Sequence, residues 1–168
     1  MELKEAKEKF INAWGTLGSN WGINRTMAQL HAYLLVSSEP LPAEEIMEAL
    51  NISRGNTNMN LRMLIDWGLV VRTHKQGERK EFFKAEKDMW KVFTRIAKER
   101  RRRELEPIFN VLEEVSHVKT GKSDRETKEF LNTIEGIQNF AVKTDKMLER
   151  LIRADESWFL SSVMKLVK

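Results

Sequence analysis

The sequence predicts a mostly α-helical protein with a small β-hairpin: a winged helix-turn-helix held between long helices. Two short helical patterns stand in succession, over residues 43–50 and 53–68, with only Asn51-Ile52 between them. Two strand-like runs, 69–75 and 79–84, follow at once around Gln76-Gly77-Glu78. Positive charge is gathered in the same place. The 28 residues from Ser53 to Lys80 hold six basic and two acidic side chains, a net charge of +4 that equals the formal charge of the whole chain.

Each element has its own physical reason. Leu3, Ala6, Phe10, Ala13, Trp14, Leu17 and Trp21 fall at helical spacing among Lys and Glu, so residues 2–20 form an amphipathic helix whose apolar face is wide for one partner. Gly15, Gly18 and Gly22 leave room for a second backbone, and Gly22 ends the helix. Arg25 to Ser37 continues as a helix with Met27, Leu30, Leu34 and Leu35 inward and Asn24 or Thr26 as its cap. Ser38 to Pro42 is a loop, because each Pro disfavours helix in the residue before it. Pro42 then opens a helix with apolar positions 43, 46, 47 and 50.

Ser53 is a natural N-cap for the second helix of the pair. Thr57, Leu61, Leu64 and Ile65 face inward, whereas Arg54, Asn56, Asn58, Met59 and Arg62 face mostly outward. Gly55 removes a side chain on that outer face, and Gly and Asn there lower helix propensity, so stability does not explain them. Arg and Asn pair in bidentate fashion with guanine and adenine edges, so a face of this composition suits the major groove. Gly68 closes the helix, and the hairpin that follows carries Lys75, Arg79 and Lys80. Arg79, near the tip, suits the negative potential of a minor groove or a phosphate.

Beyond the hairpin, 88–118 is a long helical pattern interrupted at Pro107, which must kink the helix or start a new one. The block Lys98 to Arg103 reads as a solvated helix face, with Glu99, Glu104 and Glu106 available as i to i+4 partners. Lys119 to Ser123 is a break. From 124 to 154, Phe130, Ile134, Ile137, Ala141, Thr144, Leu148 and Leu151 alternate steps of four and three, the signature of a coiled-coil seam. Residues 158–167 form a short apolar tail, too short to span a bilayer.

Composition bounds the functional classes. With 41% apolar and 32% charged residues the chain is a folded, soluble protein rich in exposed helix. Zero Cys excludes a disulfide framework, a Cys-ligated zinc site and thiol catalysis. His31, His74 and His117 are too far apart for a helical metal motif, and no Ser-His-Asp order, phosphate-binding Gly loop or paired-carboxylate motif is present. The expectation is no enzyme, no cofactor, no metal and no membrane span, and a cytoplasmic location.

The run Ser53-Arg54-Gly55-Asn56, then Leu61-Arg62-x-Leu64, Trp67-Gly68-Leu69-Val70, the Gly77-Glu78-Arg79-Lys80 wing and the long charged helix after it resemble the MarR-like winged-helix regulators, and among them the GbsR branch most. Asn24-Arg25-Thr26 and Ser38-Glu39-Pro40 share that likeness, which runs from about Trp14 into the helix after Asp88. It implies a dimeric transcriptional regulator, a repressor, that binds double-stranded operator DNA through Ser53, Arg54, Gly55, Asn56, Asn58, Met59, Arg62, Lys75, Arg79 and Lys80. Residues 1–22 and 87–168 are then the dimerisation helices and 23–86 the DNA-binding domain, because long helices cannot bury their seams on so small a winged unit. The GbsR branch suggests a quaternary ammonium effector, and the aromatic residues Trp14, Trp21, Trp90 and Phe93 are the candidate contacts for an apolar or cationic small molecule. Plain packing is the competing role for those rings. The competing function is a winged-helix protein-interaction module. Protein hot spots favour buried aromatics, which the outer face at 54–62 lacks.

Overall fold

The computed structural model describes residues 1–118 and 125–154. It is mostly helical with one small antiparallel sheet, in the order α1 (Leu3–Asn20), α2 (Arg25–Leu35), β1 (Leu41–Pro42), α3 (Ala43–Leu50), α4 (Arg54–Asp66), β2 (Val70–His74), β3 (Glu81–Ala85), α5 (Met89–Arg100), a π-helical turn (Arg101–Leu105), α6 (Glu106–Ser116) and α7 (Arg125–Arg153). The expected break at 119–123 and the apolar tail at 158–167 lie outside the described residues. Two compact units divide between Val92 and Phe93, inside α5.

The first unit, Met1–Val92, is built around α2, whose Met27, Leu30 and Leu34 are almost wholly buried together with Ile46, Leu61, Leu64 and Val70. Asn24 caps α2 by accepting the Met27 N–H at 3.1 Å. Helix α1 packs on α2 within this unit through Ile11, Gly15 and Gly18, and of the wide apolar face Trp14 lies beside His31. A Cβ on Gly18 would lie 2.5 Å from the Ala28 Cβ, and one on Gly15 would lie 2.6 Å from the Gln29 Cγ, so the helices approach at a distance only glycine allows. Leu3, Leu17 and Trp21 of the wide face stay exposed.

Three strands form the sheet in the order β1-β3-β2. The hairpin was expected, whereas residues 41–42, read from sequence as loop, add a third strand by pairing Leu41 with Phe83 and Pro42 with Phe82. Pro lacks an N–H and is tolerated here because β1 is an edge strand. Two residues are too few for an alternating pattern, which is why the sequence did not disclose the strand. In the hairpin, Val70 pairs with Ala85 and His74 with Glu81, and this register buries Phe82, Phe83 and Ala85.

In the second unit, Phe93–Lys168, the block around Pro107 takes an unexpected form. The Glu106 N–H bonds to the Arg101 carbonyl five residues back, closing a π-helical turn ahead of Pro107, which lies in the first turn of α6. The wider turn relieves the crowding that a proline ring imposes on the carbonyl four residues earlier. Helices α6 and α7 run antiparallel, since Arg101 meets Asp145 while Leu112, further along, accepts from Gln138 Nε2 at 3.0 Å.

Candidate nucleic-acid interface

Helix α4 is set at both ends by its own sequence. Ser53 Oγ accepts the Asn56 N–H at 3.3 Å, and at the far end Gly68, with φ of +72°, lets Leu69 N bond to the Leu64 carbonyl and Gly68 N to the Ile65 carbonyl, each at 2.8 Å. This is the paired closure that a left-handed residue makes possible. Between the caps, Thr57, Asn60, Leu61 and Leu64 are buried against the unit's core. Asn51, also left-handed at φ 50°, turns the chain between α3 and α4.

The outward face carries Arg54, Gly55, Asn58, Met59 and Arg62, all exposed, with Ser53 exposed at its start. Nothing lies within 4 Å of a Cβ built on Gly55. Asn56 is only half-buried, at the edge of this face, and its side chain is engaged: Asn60 Nδ2 donates to Asn56 Oδ1 at 2.7 Å and to the Asn56 carbonyl at 2.8 Å. Asn60 itself is fully buried, and sequence reasoning assigned it no role. Its signal was present all the same, since an Asn on the stripe of Thr57, Leu61 and Leu64 is a polar group that needs a partner.

On the wing, Lys75, Arg79 and Lys80 are exposed around a turn with Gly77 at φ +84°. Lys75 Nζ sits 4.5 Å from the centre of the Phe82 ring, a cation–π contact that orders the side chain without neutralising it. Arg72 pairs weakly with Glu81 at 3.4 Å across the hairpin.

The two basic clusters of the chain differ in how they are neutralised. In the second unit, Arg100 pairs with Glu104, Arg102 and Arg103 with Glu99, and Arg101 with Glu106 and Asp145. The Arg102 guanidinium, the stronger influence, and that of Arg103 hold the Glu99 carboxyl below the usual range. In the first unit, Arg54, Arg62, Arg79 and Lys80 meet no carboxylate among the described residues. A solvated helix face explains the first cluster, and an anionic partner is the natural complement of the second.

A cleft of about 70 Å³ between α3 and α4 is lined by Ala43, Glu44, Met47, Arg54, Thr57 and Asn58. It is far smaller than the roughly 300–1,000 Å³ of a metabolite pocket. Of the aromatic residues suggested for an effector, Trp14 stacks 5.4 Å from Phe10 and 6.4 Å from His31 within the first unit. Trp21 at the end of α1 and Phe93 of α5 are exposed, and Trp90 is half-buried. Among the described residues no group of three His, Cys, Asp or Glu is placed to hold a metal, and no helix is long and apolar enough to cross a membrane.

No family model matches the chain. It is 27% identical over 112 residues to the HTH-type transcriptional repressor GbsR of Bacillus subtilis (strain 168), a match covering 67% of this chain and 62% of that protein. The chain thus spans less than two thirds of that relative's length. Among solved structures it is similar to one described as a transcriptional regulator, at a TM-score of 0.66 and 19% identity, with 88% of this chain and 95% of the other covered. A mutant of S. aureus MepR bound to an oligodeoxyribonucleotide gives a TM-score of 0.41 and 14% identity over 81% of this chain and 93% of its own. The helix-turn-helix and its three-stranded wing give the chain a winged helix-turn-helix fold, and over two thirds of its length its sequence is similar to that of GbsR.

Proposed function

We propose that this chain is a sequence-specific DNA-binding transcriptional regulator of the cytoplasm, a repressor that acts as a homodimer. The observation that carries the reading is the set Arg54, Arg62, Arg79 and Lys80 on α4 and the wing, which meets no carboxylate among the described residues, in a chain that neutralises its other basic cluster internally. Arg54, Asn56, Asn58, Met59 and Arg62 supply base-edge contacts in the major groove, while Lys75, Arg79 and Lys80 contact phosphate or the minor groove. The exposed aromatic anchors of a protein-docking face are missing from α4, which weighs against an interaction module.

Dimerisation is supported by apolar surface that one copy leaves uncovered. On α7, Ile134, Gln138, Ala141, Asp145 and Leu148 share the stripe that faces α6, whereas Phe130 and Ile137 on its flank, and Phe140 and Met147 roughly 130° round the helix, are exposed. On α6, Ile108 and Val111 are exposed about 100° from Phe109 and Leu112 in the same rotational sense. Because the helices are antiparallel, both stripes fall on the same side of the hairpin. A two-helix-wide apolar face of this kind is half of a four-helix bundle, and a second copy completes it. The flank of the α7 stripe runs from Glu126 and Glu129 to Lys143 and Arg150, so a two-fold axis that opposes the helices sets acid against base.

A small-molecule effector belongs to the same reading, with Trp14, Trp21, Trp90 and Phe93 as the residues to replace singly by Ala while DNA release by choline-like cations is followed. The function itself is tested by selecting bound duplexes from a random library at fixed salt. The expected product is a two-fold motif whose half-sites lie about one turn, ~34 Å, apart. A library that emerges unenriched overturns the proposal.

A further inference from the structure

Asn60 is a costly choice for its position. It is fully buried in the middle of α4, its two amide hydrogens are spent on Asn56, and its own Oδ1 has no hydrogen-bond partner among the described residues. A Leu, of the same branched shape, would remove the buried carbonyl and raise helix propensity together. The return lies in what Asn60 does to its neighbour one turn earlier. Asn56 sits at the edge of the outward face, and its amide would otherwise rotate freely about its last torsion.

Resting on the reading that α4 enters the major groove, we infer that Asn60 is a positioning residue that fixes the polarity of Asn56. By donating to Asn56 Oδ1 at 2.7 Å it holds that oxygen toward the protein and turns the Asn56 NH2 outward. The second bond, from Asn60 Nδ2 to the Asn56 carbonyl at 2.8 Å, fixes the donor itself. A freely rotating Asn reads adenine, because it accepts from N6 and donates to N7 at once. An Asn whose oxygen is held toward the protein turns its NH2 donors to the groove. The base edge that offers two adjacent acceptors is guanine, through O6 and N7. Asn56 therefore selects guanine at its position in the half-site, and Asn60 enforces that selection without touching DNA.

The test is selection of bound duplexes from a random library by wild-type protein, Asn60→Leu, Asn56→Ala and the double variant, each checked for folding by thermal melting. Wild type is expected to prefer guanine at one position of each half-site. In Asn60→Leu the freed Asn56 amide accepts adenine there, and the guanine-to-adenine preference falls by about tenfold, the size of one bidentate contact. Other positions keep their preferences. Adding Asn60→Leu to Asn56→Ala changes nothing further. A merely structural role would lower affinity for every sequence alike and leave the base preferences intact, which would overturn the inference while leaving the DNA-binding reading standing. Wild-type protein that enriches no sequence overturns both. Should Asn60→Leu misfold, Asn60→Gln, which keeps the donor but moves it by one methylene, is expected to give the same local loss of guanine preference, and its absence counts against the inference equally.

Discussion

Arg101 grips Asp145 with two hydrogen bonds, Nε to Oδ1 at 2.5 Å and Nη2 to Oδ2 at 2.9 Å, joining residues 44 positions apart. The pair sits at the π-helical turn and is mostly shielded, so it fastens α7 where the backbone before Pro107 is least regular. Replacing Arg101 by Ala is expected to cost about 1–2 kcal/mol, the lower part of the range for hydrogen bonds to charged groups because neither side chain is fully buried. The bond to Arg101 also holds the Asp145 carboxyl below its ordinary pKa. A carboxylate depressed in the folded state stabilises the fold above its unfolded pKa, and that contribution is lost as pH falls through the folded one. Chemical denaturation at neutral pH and near pH 3 checks both points: the loss from Arg101→Ala shrinks in acid.

The contrast between the two basic clusters predicts different salt behaviour. Binding to duplex DNA weakens with salt by a slope of about 0.9 for each phosphate neutralised. Lys80→Ala is expected to flatten that slope by roughly one contact. Arg102→Ala, which removes a partner of Glu99, is expected to leave it unchanged. Fluorescence anisotropy across a salt series distinguishes the two.

Strong local signals made most of the fold legible. Ser53 and Asn24 as caps, Gly68 as the end of α4 and the hairpin around Gly77 each follow from a rule that operates within a few residues. Longer-range partners were not legible. Periodicity merged the covered stripe of α7 with its flank into one seam, because Ile134, Ala141 and Leu148 alternate with the more exposed Phe130 and Ile137. On α1 two glycines, which apolar periodicity does not register, form the packing face with Ile11, while Leu3, Leu17 and Trp21 stay exposed. Asp145 as the partner of Arg101 was invisible for the same reason: sequence spacing discloses neighbours at three and four residues and nothing at 44. The wing cations and most of the outer face of α4 are exposed as expected, while Asn56 is held at its edge by Asn60, whose place on the apolar stripe is legible from spacing and whose pairing with Asn56 is not.

Separating the two stripes of α7 changes which substitution tests the dimer. Ile134→Asp would strike the α6/α7 contact itself. Ile137→Glu with Phe140→Glu places charge on the exposed stripe, where one copy has no packing to lose. Sedimentation is expected to give a dimer for wild type and a monomer with unchanged helix content for the double variant. A variant that stays dimeric moves the interface off this face.

Close approach of α1 and α2 predicts a sharp response at Gly18. A methyl group there would meet the Ala28 Cβ at 2.5 Å, and both atoms belong to short side chains that cannot swing aside. Gly18→Ala is expected to lose about 1–3 kcal/mol through overpacking, against the gain of under about 1 kcal/mol that Ala ordinarily brings to a helix interior. At Gly55, where a Cβ meets open space, Ala is expected to stabilise α4. Urea midpoints of the two variants should move in opposite directions.

His31 makes the first unit sensitive to acid. It lies on α2 in the core, 2% exposed and 6.4 Å from the Trp14 ring, with Nε2 lacking a hydrogen-bond partner among the described residues. Burial disfavours the imidazolium and lowers its pKa from 6.5 to about 4. The sign follows from proton counting. Between those two values the unfolded chain binds a proton that the folded chain does not, so stability is complete above the unfolded pKa and declines as pH falls toward the folded one. The shift corresponds to about 3 kcal/mol in total at roughly 1.4 kcal/mol per unit, of which about 2 kcal/mol is lost between pH 7 and 4.5. His31→Leu removes the titrating group together with its unpartnered nitrogen and retains an apolar side chain of similar size. Carboxylates titrate equally in both proteins, so the difference between their unfolding free energies isolates the histidine. That difference is expected to favour the Leu variant by about 2 kcal/mol more at pH 4.5 than at pH 7, and a difference independent of pH would mean that His31 is solvated in the folded protein.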